Sequence, residues 1–235
     1  MASMTTMAMS TTITMTTDSQ SLLRLMTWLS PAFPVGGFAY SGGLEAMVRE
    51  GHVNDAAELG EWLESAINHG QFHNDAVLLA EAWNADGNAG RLTEVADLAR
   101  ALTGSAERFL EVTAQGDAFL EAARPWSPDA AETVGQEAPY AVAVGAVAAA
   151  NGIGLQDTLV AWLHALNSQT VSAAIRLGVL GQREAMALLA ELEPTILAAA
   201  RQANTSTLED LGSATVIADI MSARHEQLHS RLFRS

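Results

Sequence analysis

The stretch "YAVAVGAVAAA" (140–150) decides the fold class. Its valines at 142 and 144 are spaced by two, which suits a strand. Its alanines and its glycine suit a helix packed closely against neighbours. A strand needs a second strand to pair with, and none is offered nearby in the chain. The stretch is therefore expected to be a helix, and an all-α fold follows from it.

The flanking sequence repeats the helical period. From 156 to 177 one face carries Leu159, Trp162, Leu163, Leu166, Thr170, Ala173, Ala174 and Leu177. Residues 182–203 give another helix, with a kink expected before Pro194. Residues 207–230 give the last. Upstream, Asp55 with Glu58 resembles a capping box, followed by Leu59, Trp62, Leu63, Ala66 and Ile67 on one face and closed by Gly70. Asp75 opens a run through Trp83, and 91–102 and 105–122 are again helical. The Pro- and acid-rich segment 124–139 reads as a loop. No alternating series, P-loop, G-x-G-x-x-G or internal repeat is found. The expectation is a single-domain bundle of roughly eight to ten helices.

Composition narrows the function. The chain has 235 residues, 49% of them hydrophobic, enough for one sizeable core. It has no cysteine, which excludes disulfides, thiolate metal sites and thiol nucleophiles. A formal net charge of −15 repels phosphate backbones and anionic membranes and favours basic protein partners. Residues 1–17, "MASMTTMAMSTTITMTT", carry no Lys or Arg and no apolar run of seven, so a secretory signal is not expected. The organisation expected is a disordered Met/Thr-rich tail (1–20), a helical domain (21–228) and a C-terminal partner-binding tail (229–235).

Near the end stands His225-Glu226-Gln227-Leu228-His229, an H-E-x-x-H match. On a helix that spacing brings two imidazoles and a glutamate together, as in zinc peptidases. A catalytic zinc needs a third protein ligand, and Ser-Arg-Leu-Phe-Arg-Ser supplies none downstream. The expectation is two solvent-facing histidines on a terminal helix, with no metal ligand. His69 and His73 share the spacing, but Gly70 interrupts them. His52 and His164 are isolated.

Four patches break the plain helical pattern. Residues 30–45, "SPAFPVGGFAYSGGLE", combine two prolines and four glycines with Phe33, Phe38 and Tyr40. Such a loop is either a rigid buried crossing or a binding surface. Gln169, Ser172 and Arg176 form one polar stripe, and "LGQ" at 180–182 marks a helix restart. Each is either a solvated face or a network holding a domain or subunit interface. At the end, "SRLFRS" sets Leu232 and Phe233 between two arginines, a pattern expected to dock somewhere.

Together these patches resemble the urease accessory protein UreF family. "LLRLMTWLSPAFPVGGFAYSGGLE" resembles that family's opening, "PYAVAVGAVAAANGI" and "SQTVSAAIRLGVLGQ" its middle helices, and "HEQLHSRLFRS" its closing run. The resemblance covers residues 21–235. His229 departs from the family pattern, as do Gly42 and Gly178 or Val179. The resemblance implies an all-α, dimerising, non-enzymatic cytoplasmic scaffold. It would bridge UreD (UreH) and the GTPase UreG and dock on the urease apoprotein. Nickel and GTP would be carried by the partners, and the chain would hold no cofactor. The partner-binding residues implied are Tyr40, Ser41, Glu45, Arg231, Leu232, Phe233 and Arg234, with Tyr40 and Arg231 organising the surface that meets the GTPase. Gln169, Arg176 and Gln182 are the interface polar residues. Two other readings stay open: an activator of UreG, with Arg176, Arg231 and Arg234 as candidate arginine fingers, and a zinc metallopeptidase.

Overall fold

Residues 140–150 are helical from end to end. A computed structural model describes residues 18–85 and 87–235. The helices are α1 (Ser19–Trp28), α2 (Leu44–Arg49), α3 (Ala56–His69), α4 (Gln71–Asn84), α5 (Ala89–Ala101), α6 (Ala106–Ala123), α7 (Ala130–Val134), α8 (Tyr140–Ala150), α9 (Leu155–Leu177), α10 (Gln182–Glu191), α11 (Glu193–Ala203) and α12 (Val216–His225). Single 3-10 turns stand at Gly37–Ala39 and Leu208–Asp210. Among the described residues there is no strand, and ten helices have ten or more residues. The all-α bundle expected from the sequence is the observed fold.

Helix α8 lies at the centre because its small side chains let other backbones come close. It packs on α4 and α6. A Cβ on Gly145 would overlap the carbonyl oxygen of Leu79 in α4, and one on Gly116 in α6 would overlap that of Ala138 at the entry to α8. Here glycine is required by space. Val142, Val144 and Val147 of α8 are fully buried in the same core as Leu79, Phe119, Leu159 and Leu163.

The longest helix, α9, carries the rest. Helices α10 and α11 pack on it, and it also touches α2, α4 and α8. A row of aromatic rings joins α1, α6, α8 and α9. Trp28 meets Phe119 edge-on at 6.4 Å, Phe119 meets Tyr140 at 5.6 Å, and Tyr140 meets Trp162 at 4.8 Å. The first and last of these pairs are edge-to-face and the middle one is tilted, and such contacts fix ring orientation as well as burying area.

Several expected boundaries shift. Asp55 caps α3 by accepting the amide of Glu58 at 3.0 Å, as the sequence indicates. Helix α4 begins at Gln71 rather than at Asp75, because Gly70 in extended conformation ends α3 and starts α4. Asp75 is instead bonded to Arg108 at 2.6 Å. The 182–203 segment breaks at Leu192 into α10 and α11, with Pro194 in the first turn of α11, where its missing N–H costs nothing. The 124–139 loop contains the short α7.

The final helix is shorter than the expected 207–230. Gly212, Ser213 and Thr215 favour other conformations. The backbone of this segment finds partners at the α3–α4 break: the amide of Ala214 donates to the carbonyl of His69 at 2.8 Å, and that of Gly212 to Asn74 at 3.0 Å. The expected tail over 1–20 lies, for residues 1–17, outside the described residues. Ser19 and Gln20 belong to α1.

Candidate functional site

Helix α12 ends at His225, so the H-E-x-x-H spacing does not place both imidazoles on one helical face. His229 is exposed. His225 is fully buried, which corrects the expectation of a solvent-facing residue. Its Nδ1 stands 2.6 Å from Glu107 and its Nε2 3.3 Å from Glu45. Among the described residues no group of three His, Asp or Glu side chains is arranged to hold a metal ion. Glu226 plays a structural part. Its carboxylate accepts the amides of Ala106, at 2.9 Å, and Glu107, at 3.3 Å, in the first turn of α6. There it satisfies donors that the helix itself leaves unpaired.

Beyond α12 the chain turns back and lies along the glycine-rich loop. The amide of Arg234 donates to the carbonyl of Ala39 at 2.8 Å, and that of Ser41 to the carbonyl of Ser235 at 2.9 Å. The Ser41 hydroxyl donates to the same Ser235 oxygen. The Ser235 hydroxyl reaches Glu111 at 2.9 Å. Glu111 in turn belongs to a buried ion group with Arg108, at 3.2 Å, and Asp75. Burial pushes the Asp75 carboxyl up; Arg108 opposes the shift and Glu111 adds to it.

The anchor of the tail is Glu45, in the first turn of α2 and fully buried. Its carboxylate accepts the amides of Leu232, at 3.0 Å, and Phe233, at 2.9 Å. It also accepts from Arg49 at 2.8 Å. Burial alone would raise the Glu45 carboxyl. The two tail amides, His225 and Arg49 outweigh burial, so it sits below its ordinary value. A buried carboxylate is tolerable only with such a set of donors. Glu107 accepts from Arg231 as well as facing His225.

The polar stripe of α9 holds the other side of the loop. Gln169 donates to the carbonyl of Gly37 at 2.9 Å, and Arg176 to that of Phe38 at 2.5 Å. The Arg176 guanidinium lies 3.5 Å from the ring centroid of Phe38 and 4.2 Å from that of Phe233. One cation thus stacks on a loop ring and a tail ring. Gln169 and Arg176 tie the loop to α9, while Ser172 of the same stripe is exposed; the loop is anchored at the buried Gly37 and Tyr40 and exposed at Pro31, Ala32, Pro34, Gly36 and Phe38. A cavity of about 530 Å³ under the loop is lined by Phe33, Phe38, Trp162, His164 and Arg176, among others.

The expected site residues divide into two groups. Tyr40, Ser41, Glu45 and Phe233 are buried; Ser41 and Glu45 seat the tail, and Phe233 is the ring the tail buries. Arg231, Leu232 and Arg234 are exposed, Leu232 at 53%, with Arg231 also paired to Glu107; Phe38 of the loop is 70% exposed. Gln182 is exposed at the start of α10, away from these contacts. The sequence reading missed Arg49, Glu107 and Glu111. No periodic signal marks them, because their partners lie far along the chain.

The fold and site define an all-helical protein whose C-terminal segment is strapped over a glycine-rich loop by buried carboxylates. A family model described as UreF matches residues 53–193. The chain is 57% identical over 215 residues to the urease accessory protein UreF of Agrobacterium fabrum, covering 92% of this chain and 96% of that protein. It is 56% identical over 218 residues to the UreF of Rhizobium etli, covering 93% and 98%. The Mesorhizobium japonicum UreF is 54% identical over the same length and coverage. This chain belongs to the urease accessory protein UreF family.

Proposed function

We propose that this chain is a non-enzymatic, cytoplasmic scaffold of urease maturation. It bridges UreD (UreH) and the GTPase UreG while nickel is inserted into the urease apoprotein, and it acts as a homodimer. Nickel and GTP are carried by those partners. The observation that carries the reading is the identity to UreF proteins along nearly the whole chain. The built surface supports it. Two large apolar side chains, Phe38 and Leu232, stand exposed, flanked by Arg231 and Arg234, on a backbone fixed from below. Aromatic and apolar anchors beside arginine are what protein interfaces enrich. No helix among the described residues is long and apolar enough to cross a membrane.

Co-purification with UreD and UreG tests this. Leu232→Asp and Phe38→Asp are expected to abolish capture of at least one partner while the circular dichroism spectrum stays that of the wild type. Full capture of both partners by both variants would remove the proposed surface. These exposed positions make cleaner probes than Tyr40, whose side chain is buried.

A further inference from the structure

His225 closes α12 with no exposed surface and a carboxylate at each ring nitrogen. A neutral imidazole has one N–H and one lone pair. Between two ionised carboxylates it satisfies one and points its lone pair at the other. Only the imidazolium donates to both. The charged groups around it are Glu45 from α2 and Glu107 from α6. Behind them stand Arg49 on Glu45 and Arg231 on Glu107. The same two carboxylates hold the tail, Glu45 through the amides of Leu232 and Phe233, Glu107 through the Arg231 guanidinium.

We propose that His225 is the positioning residue of the docked tail: as imidazolium it ties Glu45 to Glu107 and so fixes both acceptors that seat residues 231–233. The ring would act through the carboxylates. Without that tie, Glu45 and Glu107 face each other across α2 and α6 as like charges, and Glu45 loses a donor that supports its ionised form. Its bearing on partner capture rests on the exposed Phe38 and Leu232 surface proposed above.

The experiment is hydrogen–deuterium exchange of the full chain, wild type against His225→Gln and Glu107→Gln, with UreD capture measured in parallel. A glutamine carries both its donors on one nitrogen and presents an acceptor oxygen on the other side, so it cannot donate to carboxylates on opposite sides as the imidazolium does. Exchange of residues 232–235 is expected to quicken about tenfold or more in both variants, while α9 keeps its protection. If the tie needs the imidazolium, wild-type tail protection, corrected for intrinsic rates, should be lower in alkaline buffer than at neutral pH, and His225→Gln should lack that difference. Wild-type tail protection in both variants, or no alkaline loss of protection in the wild type, overturns the proposal. If His225→Gln does not fold, Glu107→Gln at the half-buried start of α6 decides. An opened tail with undiminished UreD capture leaves the positioning role standing and overturns the partner surface instead.

Discussion

Helix α8 and the C-terminal tail are held by opposite means. Helix α8 is an apolar rod whose neighbours approach to backbone contact, and its position follows from shape. The tail spans a few residues, buries one ring, and is seated by hydrogen bonds to buried carboxylates together with backbone bonds to the glycine-rich loop. The first arrangement resists any change of volume. The second resists any loss of charge and tolerates changes on its outer face. A protein built this way can keep a rigid core while its C-terminus remains a separable, polar-latched element.

The largest effect should come from breaking the first region. Gly145→Leu forces a side chain into the Leu79 carbonyl and should destabilise the fold by about 3 kcal/mol or more, as over-packed cores do. Chemical denaturation followed by circular dichroism measures it. A loss below about 1 kcal/mol would show that α4 and α8 separate freely and that shape does not fix α8. Glu45→Gln should cost less, about 2 kcal/mol, because it removes a charged acceptor from two amides and Arg49 while keeping its shape. Here the loss should be local: limited proteolysis should cut the C-terminal tail while the helical core survives. Uniform sensitivity along the chain would mean that the two regions are one cooperative unit. Leu232→Asp stands at the bottom of this order. Its side chain faces solvent, so stability should change by no more than about 0.5 kcal/mol, even where partner capture is lost.

The two regions also differ in how far the sequence reveals them. Helices α3, α5, α6 and α9 are legible because each buries one face at a period of 3.6, and that signal is local. Helix α8 is legible by composition and by the want of a strand partner. The glycine-rich loop and the Leu-Phe tail stand out as exceptions to the pattern, but their pairing does not. Glu45 and Leu232 are 187 residues apart, and Glu45 and His225 are 180 apart. No local window contains both ends of such a bond. The same distance explains the misplacement of His225. By spacing it belongs to a histidine pair on an exposed helix, whereas its environment is set by two carboxylates from α2 and α6. The 207–230 helix is overextended for a similar reason, since the α3–α4 break supplies backbone partners that the local sequence does not announce.

The docked tail is the central claim, and amide exchange at Leu232 and Phe233 in the unmodified chain tests it most directly. The Glu45 carboxyl is held below its ordinary value, so its contribution is fully present above the ordinary carboxylate range and is lost as pH falls through the lowered value. At neutral pH both amides should exchange at least about tenfold more slowly than in a free peptide, after correction for intrinsic rates, and the protection should vanish on acidification through that lowered value. Free-peptide exchange at neutral pH would contradict a tail seated on Glu45.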